Sequence, residues 1–154
     1  MKKIMFVCHG NICRSPMAEF IFKDMLAEEG RSAEFFVASS ATSDETVWNG
    51  SGSRVYYAAR EELEKHDISC EGKLSVQLTR ADYEKYDLFI GMDSANIRNM
   101  RAIFGGDPSG KIRKLMDYTG SGADVSDPWY SRRFDIAYLD IYAGCRALLD
   151  SFNT

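Results

Sequence analysis

The stretch KIMFVC at residues 3–8, followed by HGNICRSP at 9–16, decides the fold. Its first part is an unbroken apolar run, which is typical of a strand covered on both faces of a sheet. Its second part is polar and ends in Ser15 and Pro16, a pair that predicts a helix start with serine as the N-cap and proline as the first helical residue. The pattern therefore predicts a buried strand that passes through a tight loop into a helix, with Cys8 at the carboxyl end of the strand.

The rest of the chain alternates between the same two kinds of element. Apolar periodicity and turn residues predict strands over 34–39, 87–91 and 112–115; helices over 16–29, 53–66, 79–86, about 97–104 and from 134; and loops over 40–52 and 120–130. Alternation of this kind indicates a single α/β domain with a parallel sheet. Ligands of such sheets bind at the carboxyl ends of the strands, so a functional site is expected beside Cys8.

Composition and charge narrow the class of protein. The chain has 154 residues, 45% apolar and 27% charged, with a net charge of −4, which suits one globular domain and argues against binding of nucleic acid or an anionic membrane by the molecule as a whole. No apolar run approaches the roughly 18 residues of a membrane span. The apolar run at the N-terminus is too short for a signal sequence. We expect a cytoplasmic monomer with neither a nucleic-acid nor a membrane partner.

The cysteines favour neither a disulfide framework nor a zinc site. The four of them, at positions 8, 13, 70 and 145, are too few and too scattered for a disulfide scaffold. No second close pair completes a zinc site with Cys8 and Cys13, and the two histidines add little. We therefore expect neither a metal nor another cofactor.

The loop after the first strand has the composition of an anion cradle. Gly10 and Asn11 tolerate backbone angles that other residues resist, so the amides of residues 9–14 can turn inward. Arg14 adds a planar fork that binds two phosphoryl oxygens, and the positive field favours a nucleophilic thiolate at Cys8. The arrangement predicts phosphoryl transfer through a phosphocysteine. The alternative is a buried cysteine that only packs, because a cysteine five residues before an arginine is by itself a loose pattern.

A phosphoryl transfer of this kind also needs a proton donor for the leaving oxygen, and Asp127 is the candidate. Asp127-Pro128 alone would be read as a turn dipeptide, but Trp129 and Tyr130 follow it in an otherwise polar loop. Large aromatics are costly to expose unless they line a site, and these two could grip a flat substrate ring. Trp48 is a further candidate for the rim, or else it packs on the surface.

Taken together, these motifs resemble the low-molecular-weight protein tyrosine phosphatases over nearly the full length. The similarity rests on CHGNICRSP at 8–16, SSATS at 39–43, QLT at 77–79, GMD at 91–93 and DPWY at 127–130. It implies one phosphatase domain over 1–154. The implied fold is a four-stranded parallel sheet of order 2-1-3-4 with helices on both faces and the phosphate-binding loop after strand 1. The implied activity is the metal-independent hydrolysis of phosphotyrosine in protein substrates, with inorganic phosphate as product.

The same resemblance implies the role of each site residue. Cys8 is the nucleophile, Arg14 the phosphoryl ligand and Asp127 the general acid and then base. Cys13 matches a second loop cysteine that protects the oxidised nucleophile by a reversible disulfide, although it can also be a packed thiol. The remaining expected sets are phosphate binding by His9, Gly10, Asn11, Ile12, Cys13 and Arg14; loop support by Asn11, Ser15 and Ser39; and a substrate pocket of His9, Trp48, Trp129 and Tyr130.

Departures from the family pattern bear on substrate choice. His9 stands where a smaller residue is usual, and the segment before Gln77 lacks a histidine that supports the loop in relatives.

Three rival functions stay open: an arsenate reductase of the same fold, a protein arginine phosphatase and a non-catalytic phosphate-binding module. The reductase needs two further cysteines beyond the third strand, where this chain has none, and arginine phosphatases tend to carry threonine at the position of Ile12. Retention of Cys8 and Asp127 disfavours the binding module.

Overall fold

Four parallel strands form the single sheet of the computed structural model, which describes residues 1–48 and 51–153. The strands lie in the order β2-β1-β3-β4, so the predicted order is confirmed. In the register, Cys8 at the end of β1 lies beside Ala41 of β2, and Val7 lies beside Gly91 of β3. The strand bounds are Lys2–Cys8 for β1, Phe35–Ala41 for β2, Leu88–Gly91 for β3 and Ile112–Lys114 for β4.

Helices cover both faces of the sheet. Three short 3-10 segments, Ser32–Glu34, Arg80–Glu84 and Leu115–Thr119, connect the longer elements. The α-helices are α1 Arg14–Glu28, α2 Tyr57–Glu64, α3 Ser94–Phe104, α4 Pro128–Ser131 and α5 Phe134–Asp150. Among the described residues, none of these helices combines the length and the apolar character that a bilayer crossing requires.

The alternation of side chains along β1 divides the core between the two faces. Ile4 and Phe6 point to the face covered by α1, α2 and α5, and both are fully buried. Met5 and Val7 point to the opposite face, where they pack with residues of α3 and of the 3-10 segment at 80–84. Because both faces are covered, the strand is a continuous apolar run, as its sequence predicted.

The predicted start of the first helix is wrong by two residues. The helix begins at Arg14, with Cys13 at the N-cap position and no capping hydrogen bond from a side chain. Ser15, predicted as the cap, is already helical, and its hydroxyl contacts the sulfur of Cys8 instead. The helix therefore begins at the residue that carries the guanidinium, which fixes the direction of that side chain.

Three other elements also differ from prediction. The helix expected over 53–66 begins only at Tyr57, because the preceding segment is held extended by pairing with the chain near Ser75. The helix expected over 79–86 is a 3-10 segment, with Thr79 at its N-cap and an Asp82 carboxylate that accepts from the Thr79 N–H at 2.9 Å. The loop expected over 120–130 contains the first residues of α4.

Candidate active site

The sulfur of Cys8 lies at the carboxyl end of β1, where three groups surround it. The N–H groups of Asn11 and Ser15 donate to Sγ at 3.3 and 3.4 Å, and Ser15 Oγ lies 3.0 Å from it. Ser15 Oγ also accepts a hydrogen bond from Asn11 Nδ2 at 2.8 Å, so the serine hydrogen is free to point at the sulfur. Donors aimed at a sulfur stabilise its negative form, as a nucleophile requires.

The loop over residues 9–14 turns its carbonyl groups away from this sulfur. Five of the six carbonyls from Cys8 to Cys13 accept from groups outside the loop: Cys8 O accepts from Thr42 N, His9 O from Ser43 N, Gly10 O from Thr46 Oγ1, Ile12 O from Tyr56 N and Cys13 O from Met17 N. With the carbonyls occupied outward, the N–H groups of Gly10, Ile12 and Cys13 donate to no acceptor within residues 1–48 and 51–153. Outward carbonyls together with available amides are the features of a main-chain nest that can hold an anion.

Asn11 holds the shape of the loop. It is buried and adopts the left-handed region, with φ of 54°, a conformation that asparagine tolerates better than most residues. Its Oδ1 accepts from Val76 N–H at 3.0 Å, so a main-chain amide supplies support from the segment that lacks the expected histidine. Gly10 does not share the left-handed region; a Cβ there would lie 3.3 Å from Thr46 Cγ2, so close packing explains the glycine.

Arg14 is 3% exposed and is fixed by groups from two other segments. Its Nη1 donates to Asp93 Oδ2 at 2.9 Å and to the carbonyl of Val125 at 2.8 Å. Its Nη2 lies 3.7 Å from Asp127 Oδ2. The guanidinium is thus oriented before any ligand arrives, which lowers the ordering cost of anion binding.

Asp127 stands at the N-cap of α4, with Pro128 as the first helical residue. Its Oδ1 accepts from Trp129 N–H at 3.0 Å, and Oδ2 faces the arginine. The side chain is one-third exposed, so one oxygen can reach a group bound above Cys8 while the other is held. A carboxyl group in this position can give or take a proton at the mouth of the nest.

These residues line one cleft of about 390 Å³. Trp129 and Tyr130 stand at its rim and are 47% and 83% exposed. His9 also lines it, and its Nε2 lies 3.1 Å from Glu45 Oε2. The complete lining is Cys8, His9, Gly10, Ile12, Cys13, Arg14, Glu45, Thr46, Asp127, Trp129 and Tyr130.

Two residues expected in the site lie elsewhere. Trp48 is 74% exposed and is not among the residues that line the cleft; its backbone pairs with Ser51. Ser39 makes no hydrogen bond to the loop. Its hydroxyl instead donates to Glu19 Oε1 at 2.6 Å, and its carbonyl accepts from Lys73 Nζ, so it joins β2 to α1 behind the site.

The four cysteines are free thiols. Burial raises the pKa of Cys13 to about 12, and negative charge on Cys8 and Asp127 adds to the effect. Burial alone raises the pKa of Cys145, far from the cleft. Within the part of the chain that the structure describes, no three His, Cys, Asp or Glu side chains gather as metal ligands would.

Sequence reasoning gave no role to several residues that shape the cleft. Asp93 is the main one: it ends the turn after β3, caps α3 by accepting from Asn96 N–H, and holds Arg14. An aspartate that follows a parallel strand and precedes a helix was the available signal. The carbonyl of Val125 and the amide of Val76 carry no such signal, because any residue supplies a main-chain group.

Comparison with known proteins agrees with this geometry. The sequence profile of the family described as "Low molecular weight phosphotyrosine protein phosphatase" matches residues 3–154. The chain is 36% identical over 155 residues to the low molecular weight protein-tyrosine-phosphatase YfkJ of Bacillus subtilis, covering 99% of this chain and 97% of that one. It is 33% identical to PtpA of Staphylococcus haemolyticus, a protein of the same description, over 97% and 93% of the two chains.

Solved structures give the same result. The crystal structure of YfkJ from Bacillus subtilis superimposes with a TM-score of 0.92 at 35% identity, covering 98% of this chain and 94% of that chain. A structure of the YwlE arginine phosphatase, with a phosphorylated serine in place of its active-site cysteine, superimposes with a TM-score of 0.84 at 29% identity, covering 99% and 96%.

Proposed function

The chain belongs to the low molecular weight phosphotyrosine protein phosphatase family, and from that membership and the cleft we infer that it hydrolyses phosphotyrosine through a phosphocysteine on Cys8. One observation carries the proposal. Cys8 and Arg14, which lie in one short loop, and Asp127, which is more than a hundred residues away in sequence, line a single cleft at the carboxyl end of β1. That is the arrangement of nucleophile, phosphoryl ligand and proton donor that the reaction needs.

In the first step, the thiolate of Cys8 attacks phosphorus. The P–S bond forms as the bond from phosphorus to the phenolic oxygen breaks, and Asp127 gives its proton to the departing oxygen. The inward amides of the loop and the guanidinium of Arg14 stabilise the charge on the three remaining oxygens. Because these groups are fixed beforehand, the stabilisation needs no reorganisation of the site during the reaction.

In the second step, a water molecule attacks the phosphocysteine. Asp127, now a carboxylate, takes a proton from the water as its oxygen bonds to phosphorus and the P–S bond breaks. Inorganic phosphate leaves, and both Cys8 and Asp127 return to their starting protonation states. The Ser15 hydroxyl, 3.0 Å from Sγ, is placed to stabilise the leaving thiolate. We propose no metal or other cofactor, because Arg14 and the amides supply the positive charge.

The aromatic rim supports an aryl phosphate as substrate. Trp129 and Tyr130 flank the entrance, and Cys8, a residue only 3% exposed, lies beneath them. A tyrosine side chain is long enough to bring its phosphate to such depth, whereas a serine is not. Ile12 in the lining favours phosphotyrosine over phosphoarginine on the family pattern. His9 and Glu45 at the rim are the residues we expect to distinguish this enzyme's substrates from those of its relatives.

The other expectations follow as proposals. We place the reaction in the cytoplasm, where reducing conditions keep Cys8 a free thiol. We propose that residues 1–154 act as one catalytic domain and as a monomer, since every group in the reaction comes from one chain. The substrates are phosphotyrosine-containing proteins.

The test is turnover of p-nitrophenyl phosphate in the presence of a chelator, followed by a comparison of phosphotyrosine and phosphoarginine peptides. We expect chelator-resistant turnover, a preference for phosphotyrosine, and loss of activity in Cys8→Ser with retained vanadate binding. The matched control is Cys70→Ser, which removes a buried thiol outside the cleft and should leave kcat unchanged. No turnover by the unmodified chain would reject the phosphatase, and a preference for phosphoarginine would replace the substrate assignment.

A further inference from the structure

Tyr56 contacts both halves of the cleft. Its N–H donates to the carbonyl of Ile12 in the nucleophile loop at 2.8 Å. Its hydroxyl accepts from Arg132 Nη2 at 2.7 Å, on the segment that carries Asp127. Its ring lies 4.8 Å from Trp129 in an edge-on arrangement. One residue therefore links the loop around the nucleophile to the segment of the acid.

Arg132 has an unusual backbone conformation at the end of α4. It is left-handed, with φ of 62°, which costs a residue with a Cβ about 1–2 kcal/mol. Its guanidinium carbon lies 5.2 Å from the ring of Tyr56, 5.5 Å from that of Phe134 and 5.9 Å from that of Trp129. Strained conformations persist where the surroundings fix them, and they cluster at functional sites.

The helix α4 connects Arg132 to Asp127. It is a single turn, with Asp127 as its N-cap and Arg132 as its C-cap. The Arg132 N–H donates to the carbonyl of Pro128 at 2.8 Å, and the Trp129 N–H donates to Asp127 Oδ1 at 3.0 Å. The two ends of the segment from Asp127 to Arg132 are therefore bonded to each other through one helical turn.

We propose that Tyr56 and Arg132 form a clasp that positions the carboxyl group of Asp127 over Cys8. They are positioning residues that act through Asp127, and the inference rests on the proposed function of that residue as the general acid. Proton transfer depends steeply on geometry, and a misplacement of about 1 Å can cost a large factor in rate. The clasp gives a short, otherwise exposed segment the fixed geometry that the acid needs.

The first test is Tyr56→Phe, which removes the hydroxyl and keeps the ring. Loss of one hydrogen bond should lower kcat for phenyl phosphate, a poor leaving group, about three- to tenfold. For 2,4-dinitrophenyl phosphate, whose leaving group needs no proton, we expect less than a twofold change. Inhibition by inorganic phosphate should be unchanged. The matched control is Tyr142→Phe, a half-exposed tyrosine of α5 that does not line the cleft, which should alter neither rate. Equal losses for both esters would overturn the clasp.

The second variant, Arg132→Gly, separates positioning from stability. Glycine adopts the left-handed region without strain. The relief of this strain offsets the loss of the guanidinium contacts, so we expect the melting temperature to be retained. The rate on phenyl phosphate should nevertheless fall as in Tyr56→Phe. Arg133→Ala, which removes an exposed ion pair with Asp135, is the control and should leave kcat unchanged. Retained activity in Arg132→Gly would overturn the clasp.

A double variant distinguishes failure of the clasp from failure of the proposed acid. If Asp127 is the acid, Asp127→Ala alone slows phenyl phosphate far more than the dinitrophenyl ester. Adding Tyr56→Phe to it should then cost nothing further, because the group that the clasp positions is gone. A full further loss would overturn the clasp while the acid stands. Equal sensitivity of the two esters to Asp127→Ala would reject the acid itself, and the clasp with it.

Discussion

Asn11 shows how much of the cleft depends on the chemistry of one side chain. Its oxygen accepts from Val76 N–H, and its nitrogen donates to Ser15 Oγ. Aspartate has no donor for the second bond, so the same shape without the amide would leave the Ser15 hydroxyl free to turn away from Cys8. The motif around Cys8 and Arg14 could be found in the sequence because its spacing is local. The amide of Val76 could not, because it arrives from another part of the chain.

The raised pKa of the Cys13 thiol leads to a prediction about oxidation of the cleft. Its pKa of about 12, raised chiefly by burial, keeps it protonated at neutral pH. If it protects Cys8, its thiolate must attack the sulfenic acid of oxidised Cys8, forming the disulfide as hydroxide leaves. The fraction of thiolate grows about tenfold per pH unit below the pKa, so disulfide closure should accelerate by about that factor from pH 7 to 8 and again to 9.

The measurement is thiol trapping and mass spectrometry after brief peroxide treatment at each pH. Cys13→Ser should form no intramolecular disulfide and should lose activity irreversibly. A rate of closure that does not change with pH, or recovery by thiol that is the same in Cys13→Ser, would contradict the protective role.

Among the helices and strands, the predictions from sequence are confirmed where the local pattern of apolar residues decides the structure. The bounds of β1 and the start of α5 were predicted to within a residue, because the burial of their apolar side chains fixes both. The start of α2 was placed too early, since residues 51–56 are held extended by the chain near Ser75, which local periodicity does not report. Likewise, α4 is one turn long, and its Asp127-Pro128 start is indistinguishable in sequence from a turn.

A glycine within α5 tests how closely that helix packs. A Cβ on Gly144 would lie 2.5 Å from Cγ of Leu115, which is fully buried in the 3-10 segment after β4. Alanine favours a helix over glycine by about 1 kcal/mol, but overpacking costs about 1–3 kcal/mol. We expect Gly144→Ala to lower the free energy of unfolding by up to about 2 kcal/mol, the difference between these two effects, as measured by urea denaturation.

The double variant Gly144→Ala with Leu115→Ala is the control. Leu115→Ala makes room for the added methyl group. The double variant should therefore lose less free energy of unfolding than the sum of the losses in the two single variants. Stabilisation by Gly144→Ala alone would show that the helix has space at this position.

For the whole molecule, stability in acid depends on carboxylates that the fold holds ionised. Asp107 joins α3 to β4, and its carboxylate accepts from the Tyr83 hydroxyl at 2.6 Å and from the N–H groups of Lys111 and Ile112. Burial alone would raise the pKa of this carboxyl, but these bonds outweigh it and hold the pKa below its usual value. The resulting stability is present above the unfolded pKa of about 4 and is lost as the pH falls through the lower folded value.

Asp107→Asn should therefore lower the free energy of unfolding at pH 7 by about 1–3 kcal/mol, the worth of hydrogen bonds to a charged group. The difference from the unmodified chain should narrow as the pH falls below about 4. Urea denaturation at pH 7 and pH 3 measures both values, with the exposed Asp44→Asn as the control. A difference that stays constant over this range would show that ionisation of Asp107 contributes nothing.

Because β1 pairs with a strand on each of its sides, it cannot complete its pairing in the sheet until both partner strands have been synthesised. The ribosome makes β1 first, yet one of its neighbours, β3, is more than eighty residues away. Asp93, Val125 and Asp127, which orient Arg14 and complete the cleft, emerge later still. A nascent chain thus carries the Cys8 thiol long before it carries the groups around it, and the cleft is complete only once the residues up to Asp127 and its aromatic neighbours have been synthesised.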